Sequence, residues 1–447
     1  MSRCARPVAA FVIRLLLILV LAGLTTAAVA QDSFEVVTFR NEFVNWATVH
    51  EQDFSFPEPD LYESVLLHID LACPGAPGDC DPWDRFANIR LRHWLNDEDS
   101  EVFEIARFIT PYDITGGGGP ETCSWTVDVS DYQFLLHDQV TLLLYIESWM
   151  GDDRGWLITA RFEMTPGVPE REPFAIQRLW QSGSLIYGDP DNPAADHLQP
   201  VTLTVPAQAS WATMKTYATG HGFLNTDNAA EFSRKFHEVH VGDNTVRHFL
   251  WRSDCASNRC SPQQGTWLYN RAGWCPGDKA DPWLVDVSDW VSAGDDAVFG
   301  YGLQPYENWC RPNNPDCVSN ASCECPGHAY FKFESQVVFY RTPNVAATDD
   351  GRLVPGVLHL VGNHPNPFNP ETTIRYHVAE PGLVTVVIYD AQGGVVATEQ
   401  VEHAAAGQYA WTWNGRSSQG ARMPSGVYLY ELQYGAERVS AKMLMLK

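Results

Sequence analysis

Short apolar runs, each closed by Gly, Pro, Asn or Asp, recur along the whole chain and leave little room for helices. Leu61–Leu71, Ala87–His93, Gln139–Ser148, Val201–Val205, Phe236–Val241 and Ser335–Tyr340 are rich in Val, Ile, Leu, Phe, Tyr and Thr. Such runs fit a pleated, half-buried surface, and few stretches hold a 3.6-residue apolar period for long. The expected fold class is all-β.

Two breaks in composition divide the chain. Thr165-Pro166-Gly167-Val168-Pro169-Glu170-Arg171-Glu172-Pro173 separates a first unit from a second, and the polar, Pro-bounded stretch 342–355 separates the second from a last unit. The expected division is 1–30 leader, 31–167, 168–343, linker 344–355 and 356–447. Each of the first two units is long enough for a sandwich of about eight strands. The last has the length and turn spacing of an immunoglobulin-like domain.

The leader carries Arg3, Arg6 and Arg14 around an apolar Phe11–Leu24 stretch and ends in Ala28-Val29-Ala30. That is the pattern of a secretory signal peptide. Its removal takes the formal charge from −25 to −28, because the leader holds three arginines and no acid. A chain so acidic is not expected to bind nucleic acid through phosphates, and its charge reads as a solvated surface. Loss of Cys4 leaves ten cysteines. An even number in an oxidising compartment points to disulfides.

The cluster with most chemistry is Cys80-Asp81-Pro82-Trp83-Asp84-Arg85-Phe86-Ala87-Asn88. It sets a carboxylate between an indole and a guanidinium. Arg85 is expected to keep Asp84 ionised so that it holds or activates a water, although an ordinary structural ion pair would look the same. Three further motifs carry polar and aromatic groups: Tyr145-Ile146-Glu147-Ser148-Trp149, Ala230-Glu231-Phe232, and Asn270-Arg271-Ala272-Gly273-Trp274-Cys275-Pro276-Gly277. Carboxylates for proton transfer, Arg for anchoring and Trp for stacking suit hydrolysis of a neutral, sugar-bearing substrate. Trp83, Trp149 and Trp274 stand out among sixteen tryptophans only because of these neighbours.

In this order the motifs resemble the peptide:N-glycosidase F amidases, which remove N-linked glycans from asparagine. The resemblance runs over roughly residues 34 to 343. It includes Cys-Asp-x-Trp-Asp-Arg-(aromatic)-Ala-Asn at 80–88, Glu-Ile-x-Arg-Phe-Ile-Thr-Pro-Tyr at 104–112, Glu-x-Trp at 147–149 and Arg-Ala-Gly-Trp-Cys-Pro-Gly at 271–277. It implies two adjacent jelly-roll sandwiches with the active site in the groove between them. Asp84 matches the principal catalytic aspartate, Glu231 the glutamate that shares a water with it, and Glu147 the glutamate on the innermost sugar. Arg85, Trp149, Arg271 and Trp274 match surrounding site residues, and Phe232 stands where the family has a tryptophan. The implied reaction hydrolyses the asparagine side-chain amide of N-glycosylated proteins or glycopeptides, giving aspartate and a glycosylamine. The resemblance implies no metal or cofactor.

Two departures are visible. The family's Cys-Ala-Glu-Trp-Cys loop is Ala229-Ala230-Glu231-Phe232-Ser233 here, so its staple is missing. A site tryptophan is replaced by His221, whose titratable ring is expected to alter sugar stacking and the working pH range. The resemblance supports the disulfides Cys73–Cys80 and Cys255–Cys275. It leaves Cys123, Cys260, Cys310, Cys317, Cys323 and Cys325 without assigned partners. A zinc site within 310–325 is less favoured than disulfides in an exported protein.

His237-Glu238-Val239-His240 lacks the spacing of a zinc-protease helix, and on a strand its two histidines point opposite ways. Asp189-Pro190-Asp191-Asn192 lacks the spacing and glycine of a calcium loop and reads as a turn.

The last unit opens with Asn363-His364-Pro365-Asn366-Pro367-Phe368-Asn369-Pro370 and later carries Trp411-Thr412-Trp413-Asn414-Gly415-Arg416. It resembles FlgD-like immunoglobulin modules and the C-terminal sorting domains of exported Gram-negative proteins. That implies engagement with a secretion machinery, then surface attachment or release. A monomer is expected. Two other functions compete with the amidase. A non-catalytic glycan-binding surface protein would need no carboxylate triad, and a copper-dependent monooxygenase would want a His-x-His pair that the chain lacks.

Overall fold

A computed structural model describes residues 33–447 except 59, 76–79, 97–98, 344, 348–352, 356–357, 379–380, 406, 436 and 447. The expected leader 1–30 lies outside the described residues, as does part of the expected linker 344–355.

The first unit contains β1 (Phe34–Val37), β2 (Glu42–Val44), β3 (His50–Ser55), β4 (Tyr62–Ala72), β5 (Phe86–Trp94), β6 (Ser100–Ile109), β7 (Thr122–Asp128), β8 (Gln139–Ile146) and β9 (Trp156–Pro166). The second contains β10 (Glu172–Ile186), β11 (Val201–Thr204), β12 (Trp211–His221), β13 (Lys235–Val241), β14 (Asn244–Leu250), β15 (Asp278–Lys279), β16 (Trp283–Asp286), β17 (Asp296–Leu303) and β18 (Tyr330–Arg341).

In the first sandwich a sheet ordered β1-β9-β4-β7, with β2 also paired to β9, faces a sheet ordered β15-β6-β5-β8-β3. In the second, β10-β18-β12-β16 faces β11-β17-β13-β14. Period-2 alternation explains the cores. On β4, Val65, Leu67, Ile69 and Leu71 are fully buried against Ile89, Leu91, Ile105, Leu142 and Leu144. Burial of each such side chain stabilises by about 1.5–3 kcal/mol. The last unit packs a three-stranded sheet (Leu358–His364, Thr372–Val378, Gly407–Trp413) against a four-stranded one (Val395–His403, Gly382–Tyr389, Gly426–Tyr434, Glu437–Met445). The expected class therefore holds: two jelly-roll sandwiches followed by an immunoglobulin-like one.

The two large sandwiches are joined in three ways. The short β15, from the second unit, extends the first unit's sheet by pairing Asp278 and Lys279 with Ile109 and Phe108 of β6. Cys123 of β7 is bonded to Cys260. Thirdly, β6 and β18 are buried on both faces over most of their length. Their polar sides meet between the sandwiches. There Arg107 donates to Glu104 (2.6 and 2.8 Å), to the Lys332 carbonyl (2.7 Å) and to Thr219 Oγ1 (3.2 Å). Glu334 accepts from the Glu104 N–H (2.7 Å) and from Gln336 (2.8 Å). Burial, with Glu104 beside it, pushes Glu334 up to about 7.

All ten cysteines of the described residues are paired. Besides Cys123–Cys260 the bonds are Cys73–Cys80, Cys255–Cys275, Cys310–Cys323 and Cys317–Cys325. The 310–325 cysteines are thus disulfides, not free thiolates for zinc. His237 is buried on one face of β13 while His240 lies on the other, as strand geometry requires.

Candidate active site

Asp84 sits just before β5, in a bend held to the end of β6. Thr110 organises it: the hydroxyl donates to the Trp83 carbonyl (2.8 Å) and accepts from the Arg85 N–H (2.7 Å). Its own N–H donates to the Arg85 carbonyl (2.9 Å). Thr110 belongs to the sequence word at 104–112, but its role is set by a partner 25 residues earlier.

The side chain of Arg85 does not bind Asp84. Its Nε donates to buried Asp81 (2.8 Å), which also accepts from Ser148 (2.7 Å) and from the Trp83 N–H (3.0 Å). The ordinary ion pair that the sequence allowed is therefore real, but between Asp81 and Arg85. Among the described residues the terminal nitrogens of Arg85 make no hydrogen bond, so they stay available to a ligand.

Asp84 is ionised at neutral pH but without the lowered pKa that an Arg85 partner would give it. Burial pushes its carboxyl up to about 6, with Arg271 opposing. Glu231 is pushed up to about 7 by burial, again opposed by Arg271 and aided by the charge of Asp84. The shared cation is Arg271, which is 1% exposed. Its Nε donates to Glu231 (3.2 Å), and Nη2 lies 4.0 Å from Asp84. The other bonds of its guanidinium go to the Thr266 and Tyr269 carbonyls (3.0 and 2.8 Å) and to Thr266 Oγ1 (2.8 Å). Burial lowers its own pKa. Arg271, expected to contact substrate, is instead a buried fork that positions two carboxylates. Thr266, invisible as a functional residue in the sequence, fixes that fork.

Glu231 ends a tight loop after β12. Leu224, Asp227, Asn228 and Ala230 all have positive φ, a conformation that costs non-glycine residues energy. Side-chain amides hold it where the family's cystine would be. Asn225 Nδ2 donates to the carbonyls of Gly222, Ala229 and His328 (3.2, 3.1 and 2.8 Å), and Asn228 Oδ1 accepts from the Leu224 N–H (2.9 Å). The Gly222 N–H donates to Glu231 Oε2 (3.0 Å). Half-buried Phe232 lies over the Arg271 guanidinium, 4.8 Å from it, and Trp274 covers it at the same distance.

Two expectations change here. Trp274 is 3% exposed, with its N–H donated to the Gly220 carbonyl (2.6 Å), so it offers no open face for a sugar. His221 is stacked between Trp274 and Tyr330, with ring centroids 5.2 and 5.5 Å away. Burial and the nearby cations Lys332, Arg107 and Arg271 hold its pKa well below the ordinary imidazole value. His221 is therefore a neutral packing ring at working pH and not a titrating one.

Glu147 follows β8 and pairs with Lys332 of β18 (3.1 Å), so this carboxylate also sits at the junction of the sandwiches. Lys332 was not legible as a site residue, because nothing in its strand-like run marks it. Trp149 is 53% exposed and meets Trp46 edge-on, with centroids 5.5 Å apart. Trp46, also half exposed, is a second residue that sequence reading missed. Trp83 is equally open and packs edge-on with Tyr112 at 5.7 Å. The first two units thus supply a two-carboxylate, one-arginine centre, and the first carries exposed aromatic faces at Trp83, Trp149 and Trp46.

The chain is similar to known proteins over much of its length. A family model described as the C-terminal domain of peptide-N-glycosidase F matches residues 190–316, and the FlgD Ig-like domain model matches 371–437. The peptide-N(4)-(N-acetyl-beta-D-glucosaminyl)asparagine amidase F of Elizabethkingia miricola is 29% identical over 267 residues, covering 58% of this chain and 73% of that protein. A solved structure of recombinant peptide:N-glycanase F superposes with a TM-score of 0.57 at 23% identity, over 70% of this chain and 96% of the other. PNGF-II superposes with a TM-score of 0.53 at 12% identity, over 69% and 65%. The solved structures share the fold, and the resemblance in sequence to peptide:N-glycosidase F holds.

Proposed function

We propose that this chain is an amidase that hydrolyses the side-chain amide joining asparagine to an N-linked glycan. The observation that carries this reading is one buried arginine, Arg271, flanked by Asp84 and Glu231, whose carboxyls are pushed up to about 6 and about 7. Groups so poised exchange protons near neutral pH, which amide hydrolysis demands of its acid and base.

In this reading a water lies between the two carboxylates. Ionised Asp84 takes its proton as the oxygen attacks the amide carbon. The free end of the Arg85 guanidinium stabilises the carbonyl oxygen as it becomes anionic. Collapse breaks the carbon–nitrogen bond, and the proton passes to the departing nitrogen. The products are aspartate and a glycosylamine. Glu147, held by Lys332, receives hydroxyls of the inner sugar, and the Trp46–Trp149 pair offers a face for stacking. Five disulfides and the leader sequence fit export to an oxidising compartment.

The test is mass spectrometry of a denatured N-glycoprotein after incubation with the full mature chain. Glycan release should accompany conversion of Asn to Asp, and Asp84→Asn should lower the rate by at least about 100-fold. Glycan that stays attached but binds the protein would replace the amidase with a lectin.

A further inference from the structure

The 222–231 loop that delivers Glu231 is gripped from two sides by residues 306–328, which connect β17 to β18. From one side the Tyr306 hydroxyl donates to the Thr226 carbonyl (2.6 Å), and Asn308 Oδ1 accepts from the Thr226 N–H (3.3 Å). The Trp309 N–H donates to Thr226 Oγ1 (2.8 Å). From the other side the Glu324 N–H donates to the Leu224 carbonyl (2.7 Å), and the His328 carbonyl accepts from Asn225 Nδ2 (2.8 Å).

The two sides are fastened to each other. Cys310 is bonded to Cys323, and the Gly327 N–H donates to the Cys310 carbonyl (2.7 Å). Buried Asn308 spans both: Nδ2 donates to the Gly327 carbonyl (2.8 Å), while Oδ1 also accepts from the Cys310 N–H (3.0 Å). Cys317–Cys325 closes the arc between them. These described residues form no helix or strand, so cross-links rather than a hydrogen-bonded ladder restrict the segment.

The loop itself shows why it needs such a grip. Leu224, Asp227, Asn228 and Ala230 hold left-handed conformations, which persist only where the surroundings over-determine them. Ala229 and Ser233 stand where a cystine could otherwise have closed the turn. Glu231 is fixed at both ends of this loop, since the Gly222 N–H donates to its Oε2 (3.0 Å) and the Ala272 N–H to its carbonyl (2.8 Å). A shift of the loop therefore moves the carboxylate against Arg271 and Asp84.

We propose that residues 306–328 are an external brace on the Glu231 loop, with Tyr306, Asn308 and the Cys310–Cys323 bridge as positioning residues that do the work of the missing staple. The proposal rests on the amidase reading and deepens it. These residues act through Thr226 and Leu224 and do not touch the reacting atoms.

The test compares the full mature chain with Asn308→Ala, with the double variant Cys310→Ser/Cys323→Ser, and with Tyr306→Phe, which keeps the ring that stacks on Tyr187. The readouts are hydrogen exchange across 222–231, carbon NMR titration of the Glu231 carboxyl (assigned with Glu231→Gln), and kcat and KM for glycopeptide hydrolysis. The charged groups facing Glu231 are Arg271 and Asp84, with the Tyr330 hydroxyl nearby. A loosened loop admits water to the carboxyl, so its midpoint should fall from about 7 towards the ordinary glutamate value of 4.5. Exchange should quicken at least about tenfold. The kcat should fall by about tenfold to a hundredfold with KM within about twofold of the wild type. A purely structural role would lower the melting temperature and leave the titration, the loop exchange and kcat unmoved. That result in the variants overturns the brace. If the two stronger variants do not fold, Tyr306→Phe decides by the same readouts. Wild-type chain that hydrolyses no glycopeptide removes the amidase reading, and exchange and titration then judge the brace without it.

Discussion

Asp84 shows how far one residue's chemistry departs from its neighbours in sequence. Adjacent Arg85 turns to Asp81, and the cation that matters, Arg271, comes from the other sandwich. Because burial outweighs that cation, folded Asp84 keeps its proton to about pH 6, whereas an unfolded aspartate releases it near 3.8. The folded state is therefore favoured fully below pH 4 and loses that stability as pH rises through 6. Asp84→Asn should match the wild type in chemical denaturation at pH 4. At pH 8 it should be more stable, by on the order of 2 kcal/mol. The same shifts set the acidic limb of catalysis. The Asp84–Glu231 pair should titrate with apparent pKa values between about 6 and 7 that belong to the pair and to neither residue alone. A pH–rate profile should rise across that window, and a rate constant from pH 4 to 8 would count against these two groups. Asp81 was readable in the same sequence word, but its choice of partner depends on Ser148, 67 residues away.

At the scale of elements, the strands were readable and the loops that aim the site were not. Lys235–Val241 and Phe86–Trp94 lie within a residue of the runs seen in the sequence, since period 2 is written in local composition. The 222–231 loop has no such signature. Its left-handed residues are tolerated because Asn225 and Asn228 satisfy the backbone around them. Asn225→Ala strands three carbonyls, that of Ala229 buried and those of Gly222 and His328 partly so, and should cost about 1–3 kcal/mol. Glycopeptide hydrolysis should fall at least about tenfold while the β-sheet circular dichroism stays unchanged. The end of β12 is equally demanding. A Cβ on Gly220 would sit 1.5 Å from the Ala230 carbonyl oxygen, beside Glu231. Gly220→Ala must displace that loop, so hydrolysis should be abolished even at temperatures where the protein remains folded.

The whole molecule consists of two sandwiches that share a polar seam and a third unit with its own core. Among the described residues the last core draws only on residues from 358 to 445, including Ile374, Tyr376, Val386 and Tyr430. We propose 344–355 as a linker, and a chain ending at 343 should keep its glycopeptide hydrolysis and its cooperative melting. A loss of either would show that the last unit supports the site.

Sequence alone determined the β class, the three-part division expected of it and the residue types of the centre, because period, turn chemistry and motif words are local. It placed Asp84, Glu231 and Glu147 among the candidates but not their partners. Only the tertiary structure decided that Arg271 and Trp274 are buried supports, that His221 is neutral, that Lys332 pairs with Glu147 and that Trp46 meets Trp149. It also decided that Glu104, Arg107 and Glu334 lie inside. On β6 and β18 the polar face looks, from alternation, like a face meant for water. The second sandwich covers it instead, and low dielectric then sets each charge by the distant groups packed against it.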